Sequence, residues 1–94
     1  MPPCAIDFIA RFGTDASRLP DEKRREVEAV LRRLPAVFGL PHLHSGLGIR
    51  RLKGSYFECR VGHDLRIVFK HNGAVLIMTR IGNHEDVRSF LKSI

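Results

Sequence analysis

Three short runs near the C-terminus constrain this chain more than any other feature: Tyr56–Val61, Leu65–Lys70 and Ala74–Ile81. Each alternates apolar and polar side chains and is rich in Val, Ile, Phe or Tyr, which suits a half-buried pleated surface. Gly62-His63-Asp64 and Asn72-Gly73 separate them. This is the signature of a three-stranded antiparallel meander.

Parity predicts the register, because a slip by one residue would send every side chain to the opposite face. With Gly62, His63 and Asp64 as the loop, Val61 opposes Leu65, Cys59 opposes Ile67 and Phe57 opposes Phe69. The apolar partners then share one face, and Glu58, Arg60, Arg66 and Lys70 take the other. A loop of His63-Asp64 alone would set Arg60 against Ile67 and mix the faces. At the second hairpin Asn72-Gly73 predicts a type I′ turn, so that Phe69 meets Leu76, Ile67 meets Met78 and Arg66 meets Thr79. The same register gathers Arg60, His63, Asp64, Arg66 and His84 at one end of the sheet. Such a group suits phosphate chemistry, and it is also what a solvated strand end looks like.

The remaining elements follow from local patterns. Cys4–Phe12 reads as an edge strand with Ile6, Phe8, Ala10 and Phe12 on one side, ended by Gly13-Thr14-Asp15, with Asp15 or Ser17 capping a short helical turn. From Pro20 the period becomes helical: Val27, Val30, Leu31 and Leu34 form a stripe behind Asp21 and Glu22, and Arg32-Arg33 and then Pro35 end it. The Lys23-Arg24-Arg25 run reads first as the solvated side of that helix and second as an RNA contact. The stretch from Phe38 to Gly48 reads as a structured loop in which extended backbone puts His42 and His44 on one side. Arg50, Arg51 and Lys53 lead into the meander. Asn83 is a helix cap with Asp86 three residues on, and Val87, Phe90, Leu91 and Ile94 give the last helix its stripe. His84 falls at the start of that helix, where free N–H groups favour anions.

Ninety-four residues with 44% hydrophobic content fit a single domain over 1–94 with one core. No stretch has the length of a membrane span and no signal pattern opens the chain, so a cytoplasmic protein is expected. Cys4 and Cys59 give no disulfide framework and are expected reduced. A net charge of +6 favours a polyanionic or acidic partner. No cluster of His, Cys and carboxylates completes a metal site, and no cofactor is implied.

The strings Leu52-Lys-Gly, Tyr56-Phe-Glu-Cys-Arg-Val-Gly62, Asp64-Leu-Arg-Ile-Val-Phe69 and Arg80-Ile-Gly-Asn-His84, in their order of elements, resemble the RelE/ParE toxin superfamily, and within it the RelE branch including the YafQ type. The resemblance implies an α+β fold: an N-terminal strand and a helix or helix pair packed on an antiparallel sheet, with the meander and a short final helix. It implies the toxin of a toxin–antitoxin pair, a metal-independent, ribosome-dependent mRNA endonuclease. Its partners would be a cognate antitoxin, the ribosome and mRNA, with DNA reached only through an antitoxin complex.

By correspondence with the YafQ pattern, Arg60 takes the place of a strand histidine, Asp64 that of the aspartate and His84 that of the terminal histidine. Arg66 matches the phosphate-binding arginine of RelE. Arg60 and Arg66 would clamp the phosphate, His84 would be general acid, and Asp64 would be the base or orient a histidine. Lys53, His44, Arg50, Arg51 and His63 would bind the RNA backbone. Arg60 departs from the pattern, since a guanidinium stays protonated and cannot serve as a base. The alternatives are a ParE-like inhibitor of DNA gyrase and a non-catalytic basic binding domain.

Overall fold

The computed structural model describes residues 5–94. The elements are β1 (Ala5–Phe8), α1 (Ala10–Ser17), α2 (Asp21–Val37), α3 (Pro41–Leu47), β2 (Arg50–Lys53), β3 (Tyr56–Val61), β4 (Leu65–Asn72), β5 (Val75–Gly82) and α4 (His84–Ser93). This is an α+β architecture around one sheet of order β1-β5-β4-β3-β2. The meander runs β3, β4, β5 as expected, but the sheet is mixed, because β1 joins the β5 edge in parallel, Ala5 to Val75 through Phe8 to Met78. At the far edge β2 pairs antiparallel with β3, a strand that its short basic sequence does not announce.

The first hairpin has the register that parity requires: Val61 faces Leu65, Cys59 faces Ile67 and Phe57 faces Phe69. The second does not. Asn72 pairs with Val75, which makes Gly73-Ala74 the loop. Gly73 has φ +61, and no non-glycine residue among those described has positive φ. Positive φ at the first loop position alone is the pattern of a type II′ turn, which needs only one glycine where type I′ needs two permissive residues. Phe69 therefore meets Met78, and a bulge follows at Thr79, after which Ile67 meets Ile81 and Arg66 meets Gly82. The bulge keeps both Met78 and Ile81 on the buried side.

That side carries the main core. Cys59, Val61, Ile67, Phe69, Leu76 and Met78 are fully buried against Phe12, Val27, Leu34, Val37 and Leu47 of the helices. Phe69 stacks on Phe57 at 5.8 Å and meets the edge of Phe38 at 5.6 Å. Burial pushes the Cys59 thiol up to about 12, so it is a free, inert core residue. Cys4 lies outside the described residues.

Local readings of the N-terminal half need three corrections. The first strand stops at Phe8, and Ala10–Ser17 is helical. A helix here swings Phe12 inward, with Ala16 and Leu19 packing beside it at i+4 and i+7, and leaves Phe8 exposed. Pro35 does not stop α2. It sits inside the helix, whose last turn closes with Phe38 N–H donating to the Leu34 carbonyl at 2.9 Å, and buried Val37 keeps that turn against the core. Pro20 is accordingly the N-cap, and Arg32 and Arg33 lie before the last turn. The segment 41–47 is a helix rather than a loop, with Pro41 at its first position and Gly48, at φ +63, closing it. Pro at the start and Gly just past the end is the ordinary asymmetry of a short helix.

The final helix is as expected. Asn83 Oδ1 accepts from Asp86 N–H at 2.9 Å, and Asp86 Oδ2 accepts from Asn83 N–H at 2.8 Å, a full capping box. The helix docks on the second face of the sheet, where Val87 and Val68 are buried and Phe90 meets the Tyr56 ring at 5.4 Å. Lys53 Nζ donates to the Ile94 carbonyl at 2.7 Å and ties down its end. Among the described residues no helix is long and apolar enough to cross a membrane.

Candidate active site

The second face of the sheet holds the charged residues. Arg60 of β3 and Arg66 of β4 are direct cross-strand partners, so their side chains leave the same face side by side. Arg50 of β2 is opposite Glu58, which adds a third guanidinium to the row. Arg50 and Arg60 are exposed and Arg66 is half-buried.

Glu58 organises these cations. Its side chain is 2% exposed, although parity places it on the polar face. Its Oε2 accepts from Arg66 Nη1 at 2.7 Å and lies 3.1 Å from Arg50 Nε. Charge-assisted bonds of this kind orient a planar guanidinium firmly. Parity set Glu58 on the face of Arg60, Arg66 and Lys70 and gave it no part. The available signal was its position diagonal to Arg66; the other half, Arg50, needed β2 to be recognised as a strand.

Arg60 is held differently. Its side chain lies over Gly48, where an added Cβ would fall 2.8 Å from Nε and 3.1 Å from Cγ. Gly48 is thus required twice, for its left-handed φ and for the room it leaves to Arg60.

The bulge at Thr79 matters for His84. The changed turn shifts the pairing by two residues and the bulge by one more, and together they bring Gly82 opposite Arg66 and leave the exposed His84 two residues beyond it. In the expected register Arg66 faced Thr79, five residues before His84.

Asp64 is not gathered in with these groups. It is at the same end of the sheet, but its Oδ1 accepts from Lys23 Nζ of α2 at 3.0 Å. The Lys23 ammonium holds the Asp64 carboxyl below the usual carboxylate range, and Asp64 in turn raises Lys23. Asp64 serves here as a clasp between the β3–β4 turn and α2. His63, at the tip of that turn, is exposed.

The expected RNA-backbone residues are dispersed. Lys53 holds the end of α4, and Arg51 Nε donates to the Gly54 carbonyl within its own turn at 2.7 Å. His44 Nε2 accepts from the Gly39 N–H at 3.0 Å and stacks on Phe38 at 5.8 Å, which ties it to the α2–α3 connection. Because 41–47 is helical, His42 and His44 do not share a side.

A groove of about 350 Å³ opens beside the site, between α1 and the strand ends. It presents three carboxylates, Asp15, Asp64 and Asp86, against Arg18 and Arg80, so it suits a polyanion less well than the arginine row. Asp15 is structural. Its Oδ2 accepts from Arg80 Nε at 2.8 Å and from the Ile81 N–H at 2.9 Å, completing the β5 edge where β1 has ended. No group of three or more His, Cys, Asp or Glu that could hold a metal occurs among the described residues.

The mixed five-stranded sheet, with three helices covering one face or edge and a capped helix on the other, is the RelE-like toxin fold. No protein-family model matches the chain, and no curated protein matches it in sequence. Solved structures do. YafQ from Escherichia coli strain BL21(DE3) superposes with a TM-score of 0.68 at 19% identity, over 89% of this chain and 97% of that one. A chain of the RelB–RelE antitoxin–toxin complex from Methanococcus jannaschii gives 0.67 at 22% identity, over 89% and 96%. The RelE–RelB complex from Pyrococcus horikoshii OT3 gives 0.68 at 14%, over 86% and 94%.

Proposed function

We propose that this protein is the toxin of a toxin–antitoxin pair, a ribosome-dependent mRNA endonuclease. The RelE fold supports the class, and the cross-strand pair of Arg60 and Arg66 with Arg50 alongside is the observation that carries the chemistry. In this reading the RNA supplies its own nucleophile. The 2′-oxygen attacks the adjacent phosphorus, the bond from phosphorus to the 5′-oxygen breaks, and the products are a 2′,3′-cyclic phosphate and a 5′-hydroxyl. The protein's part is to align the phosphodiester, stabilise its growing charge and move two protons, so the reaction calls for no metal.

Arg66 and Arg60 clamp the non-bridging oxygens. His84 protonates the departing 5′-oxygen as general acid. Asp64 takes the 2′-OH proton only after leaving Lys23, so it contributes less than Arg66 or His84. Lys53, Arg50, Arg51 and His63 are exposed and His44 is half-buried, and all five are assigned to substrate only so far as their internal contacts leave them free. The neighbours solved with RelB suggest a cognate antitoxin for this chain as well.

The test is to map RNA ends in bacteria after brief induction. Wild-type protein is expected to give cuts at positions set by the reading frame of translating ribosomes. Arg66→Lys keeps the charge but loses the fork and should lower cleavage by roughly 10²- to 10³-fold, and His84→Ala by roughly 10²- to 10⁴-fold. Intact mRNA on translating ribosomes with the wild-type protein would end the proposal, and gyrase–DNA adducts in its place would support a ParE-like activity.

A further inference from the structure

Glu58 is a poor choice for stability. Its carboxylate is 2% exposed, and while Oε2 is shared by Arg66 and Arg50, the buried Oε1 has no hydrogen-bond partner among the described residues. A carboxylate buried with a bare oxygen carries a desolvation cost. An apolar residue opposite fully buried Val68 would avoid it, and packed apolar replacements of buried ion pairs are commonly neutral or stabilising. What Glu58 does supply is orientation. It is planted in the central part of β3, and its position is set by the sheet rather than by a flexible loop.

We infer that Glu58 is a positioning residue: it holds the Arg66 and Arg50 guanidiniums in the attitude in which they meet a phosphodiester, and it tempers the charge of the arginine row. This rests on the nuclease reading above. One carboxylate set against three guanidiniums leaves the row cationic, so it still attracts RNA, while lateral repulsion between neighbouring arginines is relieved. The bare Oε1 gives the pair somewhere to go. When a phosphate draws a guanidinium outward, a second N–H of Arg66 or Arg50 can be taken up on Oε1, so the arginines shift without losing their anchor.

The experiment is steady-state cleavage of RNA on translating ribosomes by Glu58→Gln, with thermal melts and with Glu28→Gln on the exposed face of α2 as control. The amide keeps the size and loses the charge, so kcat should fall roughly 10- to 100-fold through misplaced guanidiniums, while KM stays level or falls because the row is now more cationic. Glu58→Asp retains the charge but withdraws the oxygens, and should return KM to the wild-type value without restoring kcat. Unchanged kcat in Glu58→Gln, or a loss of activity that tracks the folded fraction in the melts, overturns the inference. Should Glu58→Gln unfold, Glu58→Met, which buries no charge against Val68, is read by the same criteria. Should wild-type protein leave RNA intact, the nuclease reading fails separately, and Arg66 is followed by NMR of its Nε–H group. Loss of order in Glu58→Gln but not in Glu28→Gln then supports positioning, and equal order in both overturns it.

Discussion

The two faces of the central sheet are made by the same three strands and do opposite things. One face is apolar without exception in its interior: Cys59, Val61, Ile67, Phe69, Leu76 and Met78 are sealed by α1, α2 and α3. The other buries a carboxylate, aligns three arginines along its open end, and is covered by the ten-residue α4. A strand's alternation lets a single run of sequence serve both, since successive residues never share an environment. Stability is concentrated on the first face, and charged groups that a core would reject are tolerated on the second because solvent reaches their rim.

The contrast can be broken most strongly from the core side. Phe69→Ala should remove about 3–5 kcal/mol of stability, measured by denaturant unfolding, because the ring is fully buried among Phe38, Phe57 and the helices. A loss below about 1 kcal/mol would show that the core face is not the main store of stability.

Gly48→Ala tests the second face. The left-handed φ should cost about 1–2 kcal/mol, and the added Cβ must displace Arg60. RNA cleavage should therefore fall further than the melting curve explains; equal falls would reduce Gly48 to a helix terminator. Phe90→Ala removes the ring contact with Tyr56, worth about 0.5–1.5 kcal/mol beyond burial. Amide exchange should speed up across α4 and stay slow in β4, if the short helix opens independently of the core.

The smallest expected effect concerns pH. Asp64 has its folded pKa lowered by Lys23, so this clasp contributes above the ordinary carboxylate range and is lost as pH falls through the lowered value. Lys23 is raised by Asp64, so its side of the pair is lost only as pH rises beyond the ordinary lysine range. Between these limits stability should be flat with respect to this pair. Asp64→Asn should abolish both differences, as read from melts compared below the ordinary carboxylate range, at neutral pH and above the ordinary lysine range.

Much of this was legible in the residues. The parity of Val61, Cys59 and Phe57 against Leu65, Ile67 and Phe69 was enough for the first hairpin, and Asn83 with Asp86 was enough for the last helix. The type of the second turn was not, because Asn72-Gly73 and Gly73-Ala74 both offer a permissive glycine; nor was the bulge at Thr79, which puts Met78 and Ile81 on the buried side together. Helix α3 was missed because Gly46 and two histidines dilute its signal, though Pro41 and Gly48 mark its ends.

What the sequence determined unaided was periodicity and punctuation: which residues alternate, where turns are cheap, where a helix can begin. Those are properties of neighbours a few positions apart, and they need no knowledge of the rest of the chain. Tertiary structure alone decided the partners. The parallel seat of β1 on β5, the reach of Asp15 to Arg80, the clasp of Lys23 on Asp64 and the burial of Glu58 between Arg50 and Arg66 all join groups by their surroundings. A carboxylate's role depends on which cation and how much water it meets, and both are set by long-range packing that no local pattern contains.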